Sequence, residues 1–238
     1  GLKNKEISKS YGKKAIFQGG EKNDVADVFF HGYANYEKGI GKDYLKLTSC
    51  NTTGFIRAVD CIDKAVGVER VVATIIRRVA DPGDSHRGLV DVALVEKVPN
   101  HQAKDLMLIM PHIDATVHVP TTHGHIITLL VTPKKDISIS DAIALFEAHP
   151  RIKVVDIAKG FNSNAALFRY ARDKGAKRAD MYEIALFRET VVKSGPNLFF
   201  TINIPQEAVV IPESIDAIRA ALSLQTDPKH GVSLTNKY

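Results

Sequence analysis

The sequence contains no tryptophan, only two cysteines and no long apolar run. A helix that spans a bilayer needs about 20 mostly apolar residues, so we expect no transmembrane helix, and no charged start followed by an apolar segment suggests a signal peptide. The cysteines are eleven residues apart, which on one helix separates them by on the order of 16 Å, beyond disulfide reach. Two free thiols are typical of a reducing compartment, so we expect a cytoplasmic protein without a membrane partner.

The composition predicts a folded protein whose excess positive charge is spread along the chain. Of its 238 residues, 45% are hydrophobic and 25% are charged, which suffices for one large or two small domains with a core. The net charge of +5 permits nucleic-acid binding, but the basic residues do not interleave with aromatic side chains as they do on a base-stacking surface. We therefore expect no nucleic-acid partner and favour attraction for phosphorylated small molecules.

The apolar patterns predict an α+β fold with a mixed, largely antiparallel sheet and helices on one of its faces. Alternation of β-branched and polar residues after Val68 indicates a sheet with one polar face. Ser140 is the predicted cap of the second helix. The predicted helices lie at 55–66, 141–149, 161–175 and 213–224. The predicted strands lie at 14–20, 25–30, 44–50, 68–80, 89–98, 105–120, 125–134, 181–193 and 197–204, the last two as a hairpin.

Cys50 is the strongest candidate for a nucleophile. It stands among small polar residues in the hexapeptide SCNTTG (49–54), at a predicted junction between a strand and a helix. Unpaired amides and the helix dipole at such an end stabilise a thiolate, and the same amides stabilise the oxyanion formed when sulfur attacks a carbonyl. Cys61 lies among apolar residues of the same helix, so we expect it to be structural.

Two histidines in THGH, His123 and His125, point to the same side if they lie on a strand. They are interpreted as a general base with a neighbour, as half of a metal site, or as polar residues at the mouth of a strand. No third metal ligand is obvious. His101 is expected in a loop that touches a ligand, whereas His31, His86 and His230 are expected at the surface.

Arg77 and Arg78 end an apolar strand, so their side chains point in opposite directions and at most one of them serves a given pocket. An arginine at a strand end beside a loop is a reasonable anion ligand.

These motifs together resemble the archaeal-type glyceraldehyde-3-phosphate dehydrogenases. SCNTTG is similar to the nucleophile segment of that family, and IRRVADP, FQGGEK, ANYEKGIGKDY and PQEAVVIPESIDAIRA are similar to its recurring blocks. The resemblance runs through almost the whole chain. It implies oxidation of glyceraldehyde 3-phosphate to 1,3-bisphosphoglycerate with NAD or NADP. Cys50 would form a thiohemiacetal, hydride would pass to the nicotinamide, and inorganic phosphate would cleave the resulting thioester.

The resemblance also implies roles for single residues. Ser49 and Asn51 would contact the substrate, and His101 with Gln102 would occupy a substrate-binding loop in which the family usually has two adjacent histidines. The residues implied as cofactor contacts are Gly20, Arg78 and Gln206.

The family's base comes from a strand that reads Met-His-x-His after Pro-Thr-Thr. The corresponding segment here, PTTHGHII, keeps the first histidine of the pair as His125 and has Ile127 at the second. His125 is therefore the implied base, and His123, two residues away on the same face, is the alternative.

The same resemblance implies the domain organisation. Residues 1–49 would be the carboxyl-terminal remnant of an α/β NAD(P)-binding domain, 50–223 the catalytic domain, and 224–238 a truncated final segment. The glycine-rich turn that holds a dinucleotide pyrophosphate is missing ahead of Cys50, so we expect a fragment that is inactive by itself.

The family oligomerises through its catalytic sheet, which implies a homo-oligomer, a tetramer in the full-length form. Two other hypotheses stay open: a cofactor-independent cysteine acyltransferase, and a non-enzymatic remnant that serves as a subunit surface.

Overall fold

The computed structural model describes residues 1–78, 107–110, 113–114, 118–121 and 124–237. These residues form two compact units. The terminal unit comprises Gly1–Thr53 and Val210–Tyr238, and the central unit comprises Gly54–Val209.

Seven α-helices and eleven β-strands are present in the described residues, and they are numbered in chain order. The helices are α1 (Leu2–Ser10), α2 (Gly32–Gly39), α3 (Cys50–Val66), α4 (Ile139–Ala148), α5 (Asn164–Asp173), α6 (Ile211–Ala221) and α7 (Pro228–Thr235). The strands are β1 (Ala15–Phe17), β2 (Val28–Phe30), β3 (Tyr44–Leu47), β4 (Val68–Arg78), β5 (Ile113–Asp114), β6 (His118–Thr121), β7 (His125–Pro133), β8 (Ile152–Val155), β9 (Ile184–Phe187), β10 (Val192–Ser194) and β11 (Asn197–Ile204). Among the described helices, none combines the length and the apolar character that a membrane crossing requires.

The terminal unit contains a parallel three-stranded sheet in the order β1, β3, β2. Helix α6, from the end of the chain, packs against the sheet, and both α6 and α7 pack against α2. Burial of apolar side chains is the main driving force for this packing. The shared core consists of Phe30, Tyr36, Leu45, Leu47, Ala217, Ala220, Ala221 and Val232.

The central unit contains a mixed sheet in the order β5, β4, β7, β11, β9, β8. Its middle strands, β4, β7, β11 and β9, are antiparallel neighbours. Strands β5 and β6 run parallel to β4, and β8 runs parallel to β9. Burial alternates along β7 because one face of the sheet is covered. The buried positions of β7 are His125, Ile127, Leu129 and Val131.

The predicted fold class is confirmed: the protein is α+β, with a mixed, largely antiparallel sheet. The cap predicted for the second helix is wrong. Ser138, not Ser140, accepts the backbone N–H of Asp141, and the helix begins at Ile139. Both serines precede the apolar run, so the sequence pattern does not distinguish them. Which of the two caps the helix depends on the backbone N–H group that its hydroxyl can reach.

The single strand predicted at 181–193 is also wrong, because it is divided into β9 and β10 by a turn at Arg188–Thr190. Arg188 forms an ion pair with Asp156, and the Glu189 carboxylate accepts the backbone N–H of Ile157. These contacts tie the turn to the segment after β8. Such long-range contacts leave no trace in local periodicity.

The predicted domain limits, 1–49, 50–223 and 224–238, remain predictions. The described contacts join the two ends of the chain in the terminal unit, since α6 and α7 share a core with β2 and β3.

Candidate functional site

Cys50 is the first residue of α3 and follows strand β3 closely. Ser49 caps the helix: its Oγ accepts the backbone N–H of Thr52 at 3.3 Å, and its carbonyl oxygen accepts that of Thr53 at 2.7 Å. A serine in this position stabilises the first turn. Cys50 therefore lies where the helix dipole favours a negative charge, as the sequence predicted.

The residues around Cys50 are polar but well buried. The hydroxyls of Thr48 and Thr53 are hydrogen-bonded at 2.6 Å, which joins the end of β3 to the first turn of α3. Asn51 is 3% exposed, and its Oδ1 has no hydrogen-bond partner in the described chain. A buried acceptor without a partner is uncommon in native proteins, so Asn51 is well suited to receive a donor from a ligand.

Three loops meet at the carboxyl edge of the parallel sheet in the terminal unit. Gln18–Gly20 follows β1, His31 follows β2, and Ser49 and Cys50 follow β3. Ligands of open parallel sheets bind at this edge. Gly20 is exposed, and Gln18 Nε2 donates a hydrogen bond to Ser214 Oγ at 2.8 Å. The predicted cofactor residue Gly20 thus shares an edge of the sheet with Ser49, Cys50 and Asn51.

The expectation that His31 lies at the surface is wrong, because His31 is fully buried. Its Nε2 lies 3.5 Å from Oε1 of Glu213, which is also fully buried. Glu213 comes from α6, so this pair connects the carboxyl edge of the sheet to the last part of the chain. One signal for burial was present in the sequence, since His31 directly follows the apolar strand VFF. His230 is exposed, as expected, and His86 lies outside the described residues.

Cys61 is held in a different environment. Its thiol donates a hydrogen bond to the carbonyl oxygen of Arg57 at 3.0 Å. Burial, and to a lesser degree the nearby Asp60 carboxylate, raise the pKa of the Cys61 thiol to about 12. A thiol with this pKa is almost entirely protonated at neutral pH. Cys61 is therefore a poor nucleophile, in agreement with the structural role predicted from its neighbours.

In the central unit, His125 is the first residue of β7 and is 1% exposed. It pairs with Ile204, the last residue of β11. The preceding Gly124 has a φ of +63°, and a Cβ atom there would lie 3.0 Å from the Ile204 carbonyl oxygen. Only glycine tolerates both the left-handed conformation and the close approach, so Gly124 sets the position at which His125 enters the sheet.

Two predicted cofactor residues lie at the same edge of the central sheet as His125. Arg78 is the last residue of β4, and Gln206 follows the end of β11; both strands are antiparallel to β7. Gln206 is half-buried, and its Oε1 is buried without a hydrogen-bond partner in the described part of the chain. The antiparallel register thus brings His125, Arg78 and Gln206 to one sheet edge.

Three predicted site residues, His101, Gln102 and His123, lie outside the described residues. For Arg77 and Arg78 only the place in β4 is described. No group of three or more potential metal ligands occurs within the described ranges.

Sequence reasoning missed Arg57, which is fully buried in the central unit. Its Nη1 donates to the carbonyl oxygen of Tyr182 and its Nη2 to that of Val209, both at 2.7 Å. The sequence carried one signal, a charged residue within an apolar helix face. Because arginine is almost never fully buried without partners, this position indicated a guanidinium with fixed hydrogen-bond acceptors.

Comparison with known proteins places these features in a family. Residues 49–189 match the family model described as "Glyceraldehyde 3-phosphate dehydrogenase, C-terminal domain". Among solved structures, aspartate semialdehyde dehydrogenase II from Vibrio cholerae is similar in fold, with a TM-score of 0.55 over 87% of this chain and 64% of that one, at 16% identity.

Curated relatives match nearly the whole chain. The glyceraldehyde-3-phosphate dehydrogenase of Thermococcus kodakarensis is 40% identical over 240 residues, which cover 100% of this chain and 71% of the relative. That of Methanoregula boonei is 39% identical over 241 residues, 99% of this chain and 70% of the relative. The chain therefore belongs to the glyceraldehyde-3-phosphate dehydrogenase family.

Proposed function

We propose that this chain carries the catalytic residues of a phosphorylating glyceraldehyde-3-phosphate dehydrogenase that uses NAD or NADP. The observation that carries the proposal is the placement of Cys50 in the first turn of α3, capped by Ser49, at the carboxyl edge of a parallel sheet. That placement favours a thiolate and supplies amides to an oxyanion. Family membership supports the same chemistry.

Cys50 acts as the nucleophile and His125 as the base. The Cys50 sulfur adds to the aldehyde carbon of glyceraldehyde 3-phosphate and forms a thiohemiacetal. His125 takes the proton of its hydroxyl group. Gly20, Arg78 and Gln206 would hold the nicotinamide, and that group would supply the acceptor for the hydride from the same carbon. The resulting thioester is attacked by an oxygen of inorganic phosphate; the carbon–sulfur bond breaks, 1,3-bisphosphoglycerate leaves, and Cys50 returns to a thiolate.

Ser49 and Asn51 contact the substrate, together with His101 and Gln102. The unpaired Oδ1 of Asn51 supports this assignment, since it can accept a hydrogen bond from a substrate hydroxyl group. A buried acceptor of this kind favours a ligand that supplies a hydrogen-bond donor over one that does not.

Gly20, Arg78 and Gln206 hold the nicotinamide cofactor. The residues present fit this group: Gln206 offers a buried carboxamide oxygen without a partner in the described chain, which suits the N–H groups of the nicotinamide carboxamide. Gly20 has no atom within 4 Å of the position of a Cβ, so a ligand can approach its backbone. We further propose a cytoplasmic homotetramer.

A chimeric enzyme tests the proposed function. The 238-residue chain is joined behind the amino-terminal part of the Thermococcus kodakarensis relative, the part that the alignment leaves unmatched. We expect reduction of NAD or NADP that requires both glyceraldehyde 3-phosphate and inorganic phosphate. Cys50→Ser should abolish the reaction. Cys61→Ser, the matched control, should reduce NAD or NADP at an unchanged rate.

Two results would contradict the proposal. Reduction that does not depend on phosphate would exclude the phosphorylating reaction. Acyl transfer to Cys50 without any reduction of cofactor by a folded chimera would indicate the cysteine acyltransferase instead.

A further inference from the structure

The segment that follows β11, Pro205–Val209, carries Gln206 but belongs to no strand. Its position depends on contacts from other parts of the central unit. Two polar side chains, Arg57 and Asp180, supply such contacts to the backbone of the segment.

Arg57 holds the far end of the segment. Its guanidinium is fully buried, and it donates to the carbonyl oxygen of Val209 and to that of Tyr182, both at 2.7 Å. Burial of a guanidinium is costly, and an apolar residue of similar volume often gives equal or higher stability. A buried arginine with two fixed carbonyl partners is therefore better explained by the geometry that it imposes than by stability.

Asp180 holds the middle of the segment. Its Oδ2 accepts the backbone N–H groups of Glu207 and Ala208, at 2.7 and 2.8 Å. These two residues directly follow Gln206. A carboxylate that accepts two backbone N–H groups makes strong, charge-assisted hydrogen bonds.

The turn that presents Asp180 is strained. Arg178 and Ala179, the two residues before it, have φ angles of +61° and +54°. The left-handed conformation costs an L-residue roughly 1–2 kcal/mol, and it persists where the surroundings determine it, often at functional sites. The two hydrogen bonds that Asp180 accepts from Glu207 and Ala208 are contacts that hold the turn in this conformation.

We propose that Arg57 is a positioning residue that acts through Gln206, with Asp180 as its counterpart at the middle of the segment. The two side chains fix the backbone from Pro205 to Val209, so that the carboxamide of Gln206 keeps a buried, unpaired oxygen ready for a donor on the ligand. The ligand part of this inference rests on the proposed function, in which the donor is the nicotinamide carboxamide.

Amide hydrogen exchange on the 238-residue chain tests the positioning directly. In Arg57→Met, we expect the amides of Glu207 and Ala208 to exchange at least about tenfold faster, while peptides from β7 and the middle of β11 change little. Arg57→Lys, which retains one charged donor group, should restore part of the protection. Arg219→Met is the matched control, because Arg219 also donates to a backbone carbonyl, that of Gly231, but in the terminal unit.

Binding of nicotinamide mononucleotide, followed by ligand-observed NMR, tests the connection to Gln206. Gln206→Ala and Arg57→Met should each weaken binding about tenfold. The double variant should bind no more weakly than Gln206→Ala alone, because a residue that acts through another gives no additional loss once the other is gone.

The failures of the two proposals are distinguishable. If Arg57→Met and Asp180→Asn leave the amide exchange of the segment unchanged, the positioning role is wrong. If Arg57→Met does not fold, the exchange measured in Asp180→Asn alone tests the positioning role. If the parent chain binds no nicotinamide mononucleotide, the cofactor contact of the proposed function is contradicted, and exchange still decides the positioning role. Additive losses in the double variant would also overturn the inference.

Discussion

The thiol of Cys61 donates a hydrogen bond to the carbonyl oxygen of Arg57 at 3.0 Å, inside the helix that begins with Cys50. The two cysteines therefore occupy one helix in different surroundings. Burial raises the pKa of the Cys61 thiol to about 12, whereas Cys50 lies in the first turn, beside the Ser49 cap.

Alkylation by iodoacetamide at neutral pH should modify Cys50 at least about 100-fold faster than Cys61, because the thiolate is the reacting form. The pH dependence gives a second check. Since the thiolate fraction of a thiol rises about tenfold per pH unit below its pKa, labelling of Cys61 should increase with pH up to about 12 as long as the chain stays folded. Peptide mapping after brief labelling measures both. Faster labelling at Cys61 would contradict the assignment of Cys50.

Substitution of Gly124 should disturb the entry of His125 into the sheet. In Gly124→Ala, the alanine backbone would have to keep a φ of +63°. Its Cβ would lie 3.0 Å from the Ile204 carbonyl oxygen. We expect a loss of about 2–3 kcal/mol in the free energy of unfolding, measured with urea. Gly175→Ala is the control, because its φ is +78° but no atom lies within 4 Å of the Cβ. It should cost only about 1 kcal/mol, and equal losses would show that the contact with Ile204 is unimportant.

Breaking the buried pair of His31 and Glu213 should destabilise the terminal unit. Both side chains are fully buried, 3.5 Å apart, and removal of one partner of a buried polar pair takes away part of the compensation of the other. Glu213→Gln should lower the free energy of unfolding by about 3 kcal/mol. The double variant His31→Leu with Glu213→Gln should be less destabilised than the sum of the single variants. Additive losses would indicate that the two residues act independently.

Loss of the base should slow catalysis in the chimeric enzyme. His125→Asn should reduce kcat by about two to four orders of magnitude, the usual contribution of a general base, whereas His123→Asn should cost much less. A coupled assay with glyceraldehyde 3-phosphate, phosphate and NAD or NADP measures both. Reversed effects would assign the base to His123, two residues earlier in the chain.

Local patterns predicted much of this fold. The alternation along β7 and the apolar spacing of α3 were visible because one face of each element is buried. The surroundings of Cys50 were also readable, since a strand, a small polar segment and a helix follow one another within a few residues. The sequence therefore predicted the structural setting of Cys50, the candidate nucleophile.

Contacts between distant segments were not predictable in this way. His31 and Glu213 meet because α6 packs in the terminal unit, far along the chain from β2. Arg57 reaches the carbonyl oxygens of Tyr182 and Val209, whose positions depend on the whole central sheet. Local periodicity describes which face of an element is buried, but not which distant segment covers it.

Whether Cys50 carries the acyl intermediate can be measured in the half-reaction that needs no nicotinamide. The 238-residue chain is mixed with 1,3-bisphosphoglycerate, and the adduct is located by peptide mass spectrometry. Attack of the thiolate on the acyl carbon releases phosphate and leaves a thioester. We predict an adduct on Cys50 that inorganic phosphate removes and that the Cys50→Ser variant does not form. An adduct on Cys61, or one on Cys50 that phosphate leaves in place, would contradict it.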